Sequence, residues 1–340
     1  MTDTFSEIRD LKNACQFNPQ STKGHYESYF LRANHPTKPL AFWIRYTIFS
    51  SKGKKHRSIG ELWGAFFDGE KDQVFAIKSE VPIAQCYFSK NTMAVEIGKA
   101  KLSAGCLEGI IKQENKSYHW KLTYDANKKP LAFLPEAYYK APLPKAKSFI
   151  GNPNTLFNGE LTIESGDKPV KYNISNWQGS ENHNWGSKHT DEYAWGQVSG
   201  FDNDKDAFLE CITARIKIGP VYTPKLTLVC LRVNNQEYNF NTVIQSVKAK
   251  GSYHYFDWKF KSKQNGITIS GRINAPKKHF VGLNYYNPPG GSNTCLNSKI
   301  ASCEIIIKEQ GKADIKLITK HRAAFEVLTS DSNHNVSIDA

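Results

Sequence analysis

Across residues 117–124 apolar and polar side chains alternate without a break. Tyr118, Trp120, Leu122 and Tyr124 point one way, and Ser117, His119, Lys121 and Thr123 the other. Successive side chains of an extended chain leave opposite faces, so this period of two predicts a strand with one face in a core and one in water. Residues 40–49 repeat the pattern: Leu40, Phe42, Ile44, Tyr46 and Ile48 share one face, Trp43, Arg45 and Thr47 the other. Similar runs lie at 170–177, 207–216, 226–233, 253–260 and 267–273, most of them separated by Gly, Asn, Asp and Pro. Many short strands at this spacing predict an antiparallel barrel or sandwich, not βαβ units. The 16 Tyr, 19 Phe and 7 Trp fit that reading, because aromatic rings suit pleated, half-buried surfaces and can wall a ligand cavity.

A chain of 340 residues is long for one core, and length predicts about two domains. Phe5, Ile8, Leu11 and Cys15 recur at helical spacing, with Thr4 and Glu7 as a capping box, so residues 1–26 read as an N-terminal helical segment. A first β domain follows over 27–158. Three prolines and a glycine between 141 and 154 place a linker near 141–158, and a second β domain covers 159–340. A weak internal echo supports two halves. Trp63-Gly64 precedes Phe67-Asp68 as Trp195-Gly196 precedes Phe201-Asp202, and Trp120-Lys121-Leu122 matches Trp258-Lys259-Phe260. Residues 322–328 allow a second helix, but the segment is too short to decide.

The net charge of +13 permits attraction to anionic surfaces, including peripheral contact with an anionic membrane, without specifying a partner. The dense basic run of Lys52, Lys54, Lys55, His56 and Arg57 lies between two strands and reads as a solvated hairpin tip. No nucleic-acid-binding motif is present, and no nucleic-acid partner is expected. Seven widely spaced cysteines without a C-x-x-C read as reduced thiols. The first residues lack an apolar signal core, and no apolar stretch approaches the ~20 residues of a membrane span, so a cytoplasmic protein is expected. There is no phosphate-cradling loop, dinucleotide fingerprint or G-x-S-x-G elbow, hence no expected cofactor. The spacing of His183, His189 and Asp191 resembles no zinc signature, and no metal is expected.

The densest stretch in chemistry is 176–197, with three Trp, two His and several amides and acids among turn-forming residues. It reads as a loop on a rigid scaffold and as a pocket wall. His183 could move a proton near neutral pH, and Asp191 or Glu181 could act as an acid if buried. Trp185 and Trp195 offer π faces to an electron-poor substrate. Each of these residues also suits a tight barrel corner, where Trp plugs, Gly bends, and Asn or His ties up backbone groups. Glu210 alternates with Phe208, Ile212 and Ala214 on the apolar face of its strand; facing into a barrel it would be a perturbed acid, otherwise a partner for Arg232 or Arg45. Tyr285-Tyr286-Asn287-Pro288-Pro289-Gly290-Gly291 specifies an irregular turn, from which Tyr286, Asn287, Asn297 and Lys299 could reach a ligand.

Several segments together resemble a known group. They are Tyr29-Phe30-Leu31-Arg32-Ala33-Asn34-His35-Pro36, Ala41-Phe42-Trp43-Ile44-Arg45-Tyr46-Thr47, Glu61-Leu62-Trp63, Asn182-His183-Asn184-Trp185-Gly186, Tyr193-Ala194-Trp195-Gly196-Gln197, and 285–299. They resemble a bacterial branch of the AttH-type lipocalin-like superfamily, which includes carotenoid 1,2-hydratases, tocopherol cyclases and fungal Diels–Alderases. The resemblance spans roughly 27–308. It implies a mostly β fold of two lipocalin-like antiparallel β-barrel domains side by side, with the short N-terminal helix ahead of them. It further implies cofactor-free chemistry on apolar isoprenoid or polyene substrates, by protonation of an alkene or by holding the substrate folded. Family members often carry Asp where this chain has Asn182, which cannot donate a proton as an acid would.

The expected function is therefore a cofactor-free hydratase, cyclase or isomerase for a hydrophobic unsaturated small molecule. His183, Asp191 and Glu210 are the acid–base candidates. Trp43, Arg45, Trp63, Asn184, Trp185, Tyr193, Trp195, Gln197, Tyr286, Asn287 and Lys299 are the binding candidates. Two alternatives are a non-catalytic lipid or isoprenoid carrier and a carbohydrate-binding β module; the second requires an open aromatic platform.

Overall fold

The computed structural model describes residues 4–53, 58–166 and 168–340. Of the basic run only Lys52 falls among them, and the side chain of Thr4, with the capping box it would form, lies outside the description. A helix α1 (Thr4–Asn13) opens the chain. The first sheet follows as β1 (His25–Asn34), β2 (Leu40–Ser50), β3 (Ile59–Asp68), β4 (Gln73–Pro82), β5 (Cys86–Phe88) and β6 (Ala94–Ile97). It continues as β7 (Ala100–Ser103), β8 (Cys106–Gln113), β9 (Lys116–Tyr124), β10 (Leu131–Ala132), β11 (Ala146–Glu164) and β12 (Val170–Gly186), with a short α2 (Glu136–Lys140) before β11. These twelve strands form one antiparallel sheet in the order β4-β3-β2-β1-β12-β11-β9-β8-β7-β6-β5, with β10 pairing β11. It curls on itself, bringing β4 against β8 and β3 against β6.

The second sheet begins with β13 (Glu192–Ser199) and β14 (Phe208–Arg215), then a small hairpin of β15 (Lys217–Ile218) and β16 (Val221–Tyr222). Next come β17 (Leu226–Val233), β18 (Gln236–Phe240), α3 (Val243–Lys248), β19 (Lys250–His254) and β20 (Asp257–Gln264). The sheet ends with β21 (Ile267–Asn274), β22 (Val281–Tyr286), β23 (Ser292–Glu309) and β24 (Ile315–Thr329). Its order is β18-β17-β14-β13-β24-β23-β21-β20-β19, with β22 pairing β23. α3 packs against β17 and β20 and so fills the gap between the sheet's two ends.

The two orders match over nine strands, and among the described residues only β5 and β6 of the first sheet have no counterpart. β1 corresponds to β13, β2 to β14 and β3 to β17. The long bulged pair β11–β12 corresponds to β23–β24, and β10 to β22. The duplication lies in topology and not in the Trp-Gly echo: Trp63 is on β3 and Trp195 on β13, which are not equivalent strands.

Each sheet buries its inner face in its own core. Tyr29, Phe42, Tyr46, Tyr118, Trp120 and Trp177 fill the first; Phe240, Trp258, Phe260, Phe280 and Phe325 fill the second. Both barrel interiors are therefore packed with rings. The outer faces of β1–β4 meet those of β13, β14 and β22–β24 in a third cluster that includes Phe30, Trp43, Trp63, Trp195, Tyr285 and Cys295.

Three local expectations change, and one open one is settled. The crossing between sheets falls at 187–191, while residues 146–158 of the expected linker belong to β11, paired with β9 and β12. The strand expected at 170–177 runs on to 186, and 192–197 belongs to β13, so most of the stretch 176–197 is strand and not loop; from 177 on, the amides and His of β12 are tolerated because both faces are buried against polar partners. Residues 322–328 lie in β24, where Ala323, Phe325 and Val327 face the core and Ala324 and Leu328 the other sheet, so no alternation marks the strand. Finally, α1 buries Arg9 and Asn13 and leaves Phe5, Ile8 and Leu11 facing outward, the reverse of the expected stripe.

Candidate functional site

The seam between the sheets gathers most of the unusual chemistry. On the outer face of the first sheet, register places Arg45, Trp63 and Lys78 directly across β2, β3 and β4, with Thr47, Glu61 and Glu80 in the next row. The Lys78 ammonium lies 4.4 Å from the Trp63 ring centre and 4.2 Å from that of Tyr286, and pairs with Glu61 at 2.7 Å and Glu80 at 2.6 Å. The Arg45 guanidinium lies 4.5 Å from the Tyr285 ring and 6.0 Å from Trp63. The sheet crossing adds His189, whose ring stacks on Tyr26 at 3.7 Å.

Tyr26, Arg45, Thr47, Phe49, Glu61, Trp63, His189, Tyr285 and Tyr286 enclose a void of about 10 Å³, room for one water at most. Phe49 and Tyr286 also belong to the wall of an open cleft of about 810 Å³. The rest of that cleft is lined by Ile59, Val81, Pro82 and the Pro288–Gly291 turn, with Lys52 and Glu80 at its rim. The turn is held across the seam: Lys52 donates its amide to the Pro288 carbonyl at 2.8 Å, and His189 donates its amide to Asn287 Oδ1 at 3.2 Å. Gly291 sits at φ 75°, a backbone conformation that a side chain would strain.

Burial shapes the electrostatics here. Burial first, and then the charge of Arg45, lower the His189 imidazole to about 3, so at neutral pH it is uncharged and resists protonation. Burial and the nearby Cys295 and Glu326 push the Tyr193 and Tyr285 phenols far up, which keeps both protonated. Lys299 is fully buried, donates to Asn297 Oδ1 at 2.6 Å and pairs with Glu326 at 2.7 Å. Its ammonium lies 5.6 Å from the Trp43 ring and 5.5 Å from Trp195.

Glu210 also faces the seam, with Phe208 and Ile212, while Leu209 and Cys211 line the second barrel. It therefore points into neither barrel. Its oxygens accept from Trp195 Nε1 and Gln197 Nε2, both at 2.7 Å, and neither Arg232 nor Arg45 reaches it; Arg232 pairs with Glu237 at 2.7 Å. Burial pushes the carboxyl up to about 8 against those two hydrogen bonds. Gln197 is the hub of this network. It also donates to Asn182 Oδ1 and accepts from Arg32 Nε, each at 2.7 Å. Trp195, Lys299 and Trp43 lie between Glu210 and the void.

The other sequence candidates sit elsewhere. His183 is fully buried between Tyr29 and Trp185, at the end of the first barrel beneath α1. Its Nδ1 lies 2.8 Å from the Lys12 carbonyl and its Nε2 2.9 Å from Glu27, so both nitrogens meet acceptors. Burial works against the Glu27 charge, but hydrogen bonds from His183 and His25 outweigh it and hold the carboxyl well below its usual range. Asp191 pairs with Lys188 and accepts the Lys217 amide at 2.8 Å, fixing the sheet crossing. Asn184 is half-buried on β12, facing β1 and β11. All seven tryptophans are buried, so none forms the open platform of a carbohydrate-binding face.

Thus Trp43, Arg45, Trp63, Tyr193, Trp195, Gln197, Lys299 and Glu210 meet in the seam, with Tyr286 and Asn287 at the cleft, while His183, Trp185 and Asp191 do not join them. Sequence reasoning missed Arg32, Thr47, Glu61, Lys78, Tyr285 and Glu326 as members of this cluster. Thr47 was legible as the next outward residue after Arg45, and Glu61 becomes its neighbour once β2 and β3 pair as a hairpin. Among the described residues no group of three or more His, Cys, Asp or Glu is placed to hold a metal, and no helix is long and apolar enough to cross a membrane.

No family model matches the chain. Two uncharacterized Mycobacterium tuberculosis proteins, MT0513 and Rv0493c, are each 23% identical to it over 191 residues. That is 56% of this chain and 56% of theirs, so the chain spans about half the length of the curated relatives it matches. Among solved structures, NE1406 of Nitrosomonas europaea, assigned as an AttH, superimposes with a TM-score of 0.56 at 12% identity over 93% of this chain and 96% of its own. Kievitone hydratase of Nectria haematococca gives a TM-score of 0.56 at 10% identity over 97% and 95%. CghA with Sch210972 gives 0.53 at 10% identity over 90% and 88%. With its duplicated antiparallel sheets and these neighbours, the chain has the AttH-type, lipocalin-like fold.

Proposed function

We propose that the protein is a cofactor-free hydratase, cyclase or isomerase for a hydrophobic, unsaturated small molecule, working by proton transfer at the inner end of the cleft. One observation carries this reading: a mostly apolar cleft of substrate size shares the Phe49 and Tyr286 rings with a small void, and that void is lined by His189, Arg45 and Glu61, the last paired with Lys78. In this reading Glu61, held by Lys78, takes a proton from a substrate hydroxyl or water and gives it back to the substrate, while the uncharged His189 orients that group by a hydrogen bond. Trp63, Tyr285 and Tyr286 exclude water and hold the substrate folded. A hydratase and CghA with a bound small molecule share the fold, which supports the reading as analogy.

The test is native mass spectrometry of the purified protein, extraction of what is bound, and incubation of that compound class in D₂O. The product should carry deuterium at a former alkene carbon. Glu61→Gln should keep binding and lose about 100-fold or more of turnover. A ligand returned unchanged by the intact protein would sink the enzymatic reading.

A carrier that unloads at an anionic membrane is a second reading, favoured by a surface far from the cleft. Lys250 lies directly opposite Lys261, and Lys259 opposite Arg272, a like-charge arrangement that costs stability. Arg272 pairs with Asp257, whereas Lys250, Lys259, Lys261 and Lys263 form no ion pair among the described residues. Beside them α3 exposes Val243, Ile244 and Val247. Lysines around an apolar wedge match an anionic bilayer in both charge and polarity.

A further inference from the structure

Arg45 is a buried cation without a direct ionic partner. Its side chain is 7% exposed, yet among the described residues it makes no hydrogen bond and no ion pair. The carboxylates nearest in effect are Glu61 and Glu326, and each is engaged by another cation: Glu61 by Lys78 and Glu326 by Lys299, both at 2.7 Å. Glu80, half-exposed at the rim, is also held by Lys78. Only the faces of Tyr285 and Trp63 attend the guanidinium. Burial is outweighed by Tyr285, Glu61 and Glu326 together, which hold the guanidinium charged, yet no acceptor touches it.

The neighbouring polar atoms point the same way. Trp43 Nε1, Trp63 Nε1, Arg45 Nε and Thr47 Oγ1 are all buried without a hydrogen-bond partner in adjoining positions on β2 and β3, as is one acceptor, Glu61 Oε1, which Lys78 engages as an ion pair. Indole and guanidinium nitrogens can only donate, so what they lack is an acceptor. A carboxylate offers about four lone-pair sites and the missing ionic partner. We propose that this site binds the carboxylate of an amphipathic, unsaturated organic acid whose apolar body lies along the cleft. The inference rests on the reading of the cleft as a hydrophobic substrate site and narrows its ligand to an acid. The void now holds at most one water, so entry of the acid group turns the half-buried Tyr286 ring, which both spaces share, toward the cleft.

The experiment compares linoleic and retinoic acids with methyl linoleate and retinol, by calorimetric titration of the full chain and of Arg45→Met and Arg45→Lys. The intact protein should prefer at least one acid over its neutral analogue by about tenfold or more. Arg45→Met should abolish that preference while leaving the neutral analogue's affinity unchanged, and Arg45→Lys should keep part of it. The ligand-free Arg45→Met protein should melt within about a few degrees of the parent, because Arg45 makes no hydrogen bond or ion pair that the change would break; a structural arginine would give a large loss. Equal binding of acids and neutral analogues overturns the acid site but leaves the hydrophobic-substrate reading standing. A large loss of Tm in Arg45→Met with an intact acid preference also overturns it. Failure of every acid and every neutral analogue to bind removes both.

Discussion

Trp195 donates its indole N–H to Glu210 Oε1 at 2.7 Å, a hydrogen bond made in the seam between the two sheets and away from water. Burial still raises the carboxyl to about 8, compared with ~4.3 for a solvated Glu. Between these values the folded chain keeps a proton that the unfolded chain releases. Stability therefore falls as pH rises through this window, by up to about 1.4 kcal/mol per pH unit, and the slope ends above pH 8. Urea unfolding at pH 5.5 and 7.5 should show that decline in the parent and a flatter dependence in Glu210→Gln. Parallel pH dependences would place the carboxyl's ionisation outside this window.

Gln197 serves four groups at once, donating to Glu210 and Asn182 and accepting from Arg32 and Ser180. Gln197→Leu removes the hub while leaving a buried guanidinium and carboxyl without their bridge. A loss of roughly 3–5 kcal/mol is expected, the scale of breaking a buried charged network. Gln197→Glu should cost less, since it retains an acceptor for Arg32. Equal losses for the two variants would mean that packing, and not polar satisfaction, holds the seam.

His183 joins the last turn of α1 to β1, through the Lys12 carbonyl and Glu27. His183→Leu leaves the buried Lys12 carbonyl without this donor and takes one donor from Glu27, which keeps the Gln16 amide, Tyr29 and His25, so a loss of about 1–3 kcal/mol is expected. Hydrogen exchange should quicken in residues 4–13, and ligand binding at the cleft should persist. Abolished binding in a variant with normal exchange would return His183 to the functional site.

The alternation at 40–49 already separated the two faces of β2: Phe42, Ile44 and Tyr46 fill the barrel, while Trp43 and Arg45 turn outward. What it did not specify is that the outward face meets a second sheet instead of water. That fact is set by pairing between residues far apart in sequence, such as Arg45 with Tyr285. The same cause hid β12 and the end of β24. A strand buried on both faces has no polar side to mark its period, and Asn, Ser and His in it resemble a loop. Register decided the rest. In β12, Ser180 and Asn182 bond toward Gln197 in the seam, whereas Glu181 and His183 face Tyr124, Tyr29 and α1, so one dense motif divides between two environments.

The lysines of β19 and β20 make the carrier reading measurable. Replacing Lys259 and Lys261 by Glu reverses two exposed charges and relieves the like-charge pair with Lys250, so the folded state should lose nothing and could gain a few tenths of a kcal/mol. Binding to vesicles should respond strongly. With phosphatidylcholine containing about 30% phosphatidylserine, each lysine near the surface contributes about 1 kcal/mol, so the double reversal should weaken sedimentation at least tenfold. The same change at Lys112 and Lys116, exposed on β8 and β9, alters net charge equally and should leave binding nearly intact. Ile244→Ser should weaken the residual binding that survives high salt, because that part depends on apolar insertion and not on charge. Equal effects from both lysine pairs would reduce the interaction to overall charge and leave α3 without a membrane role.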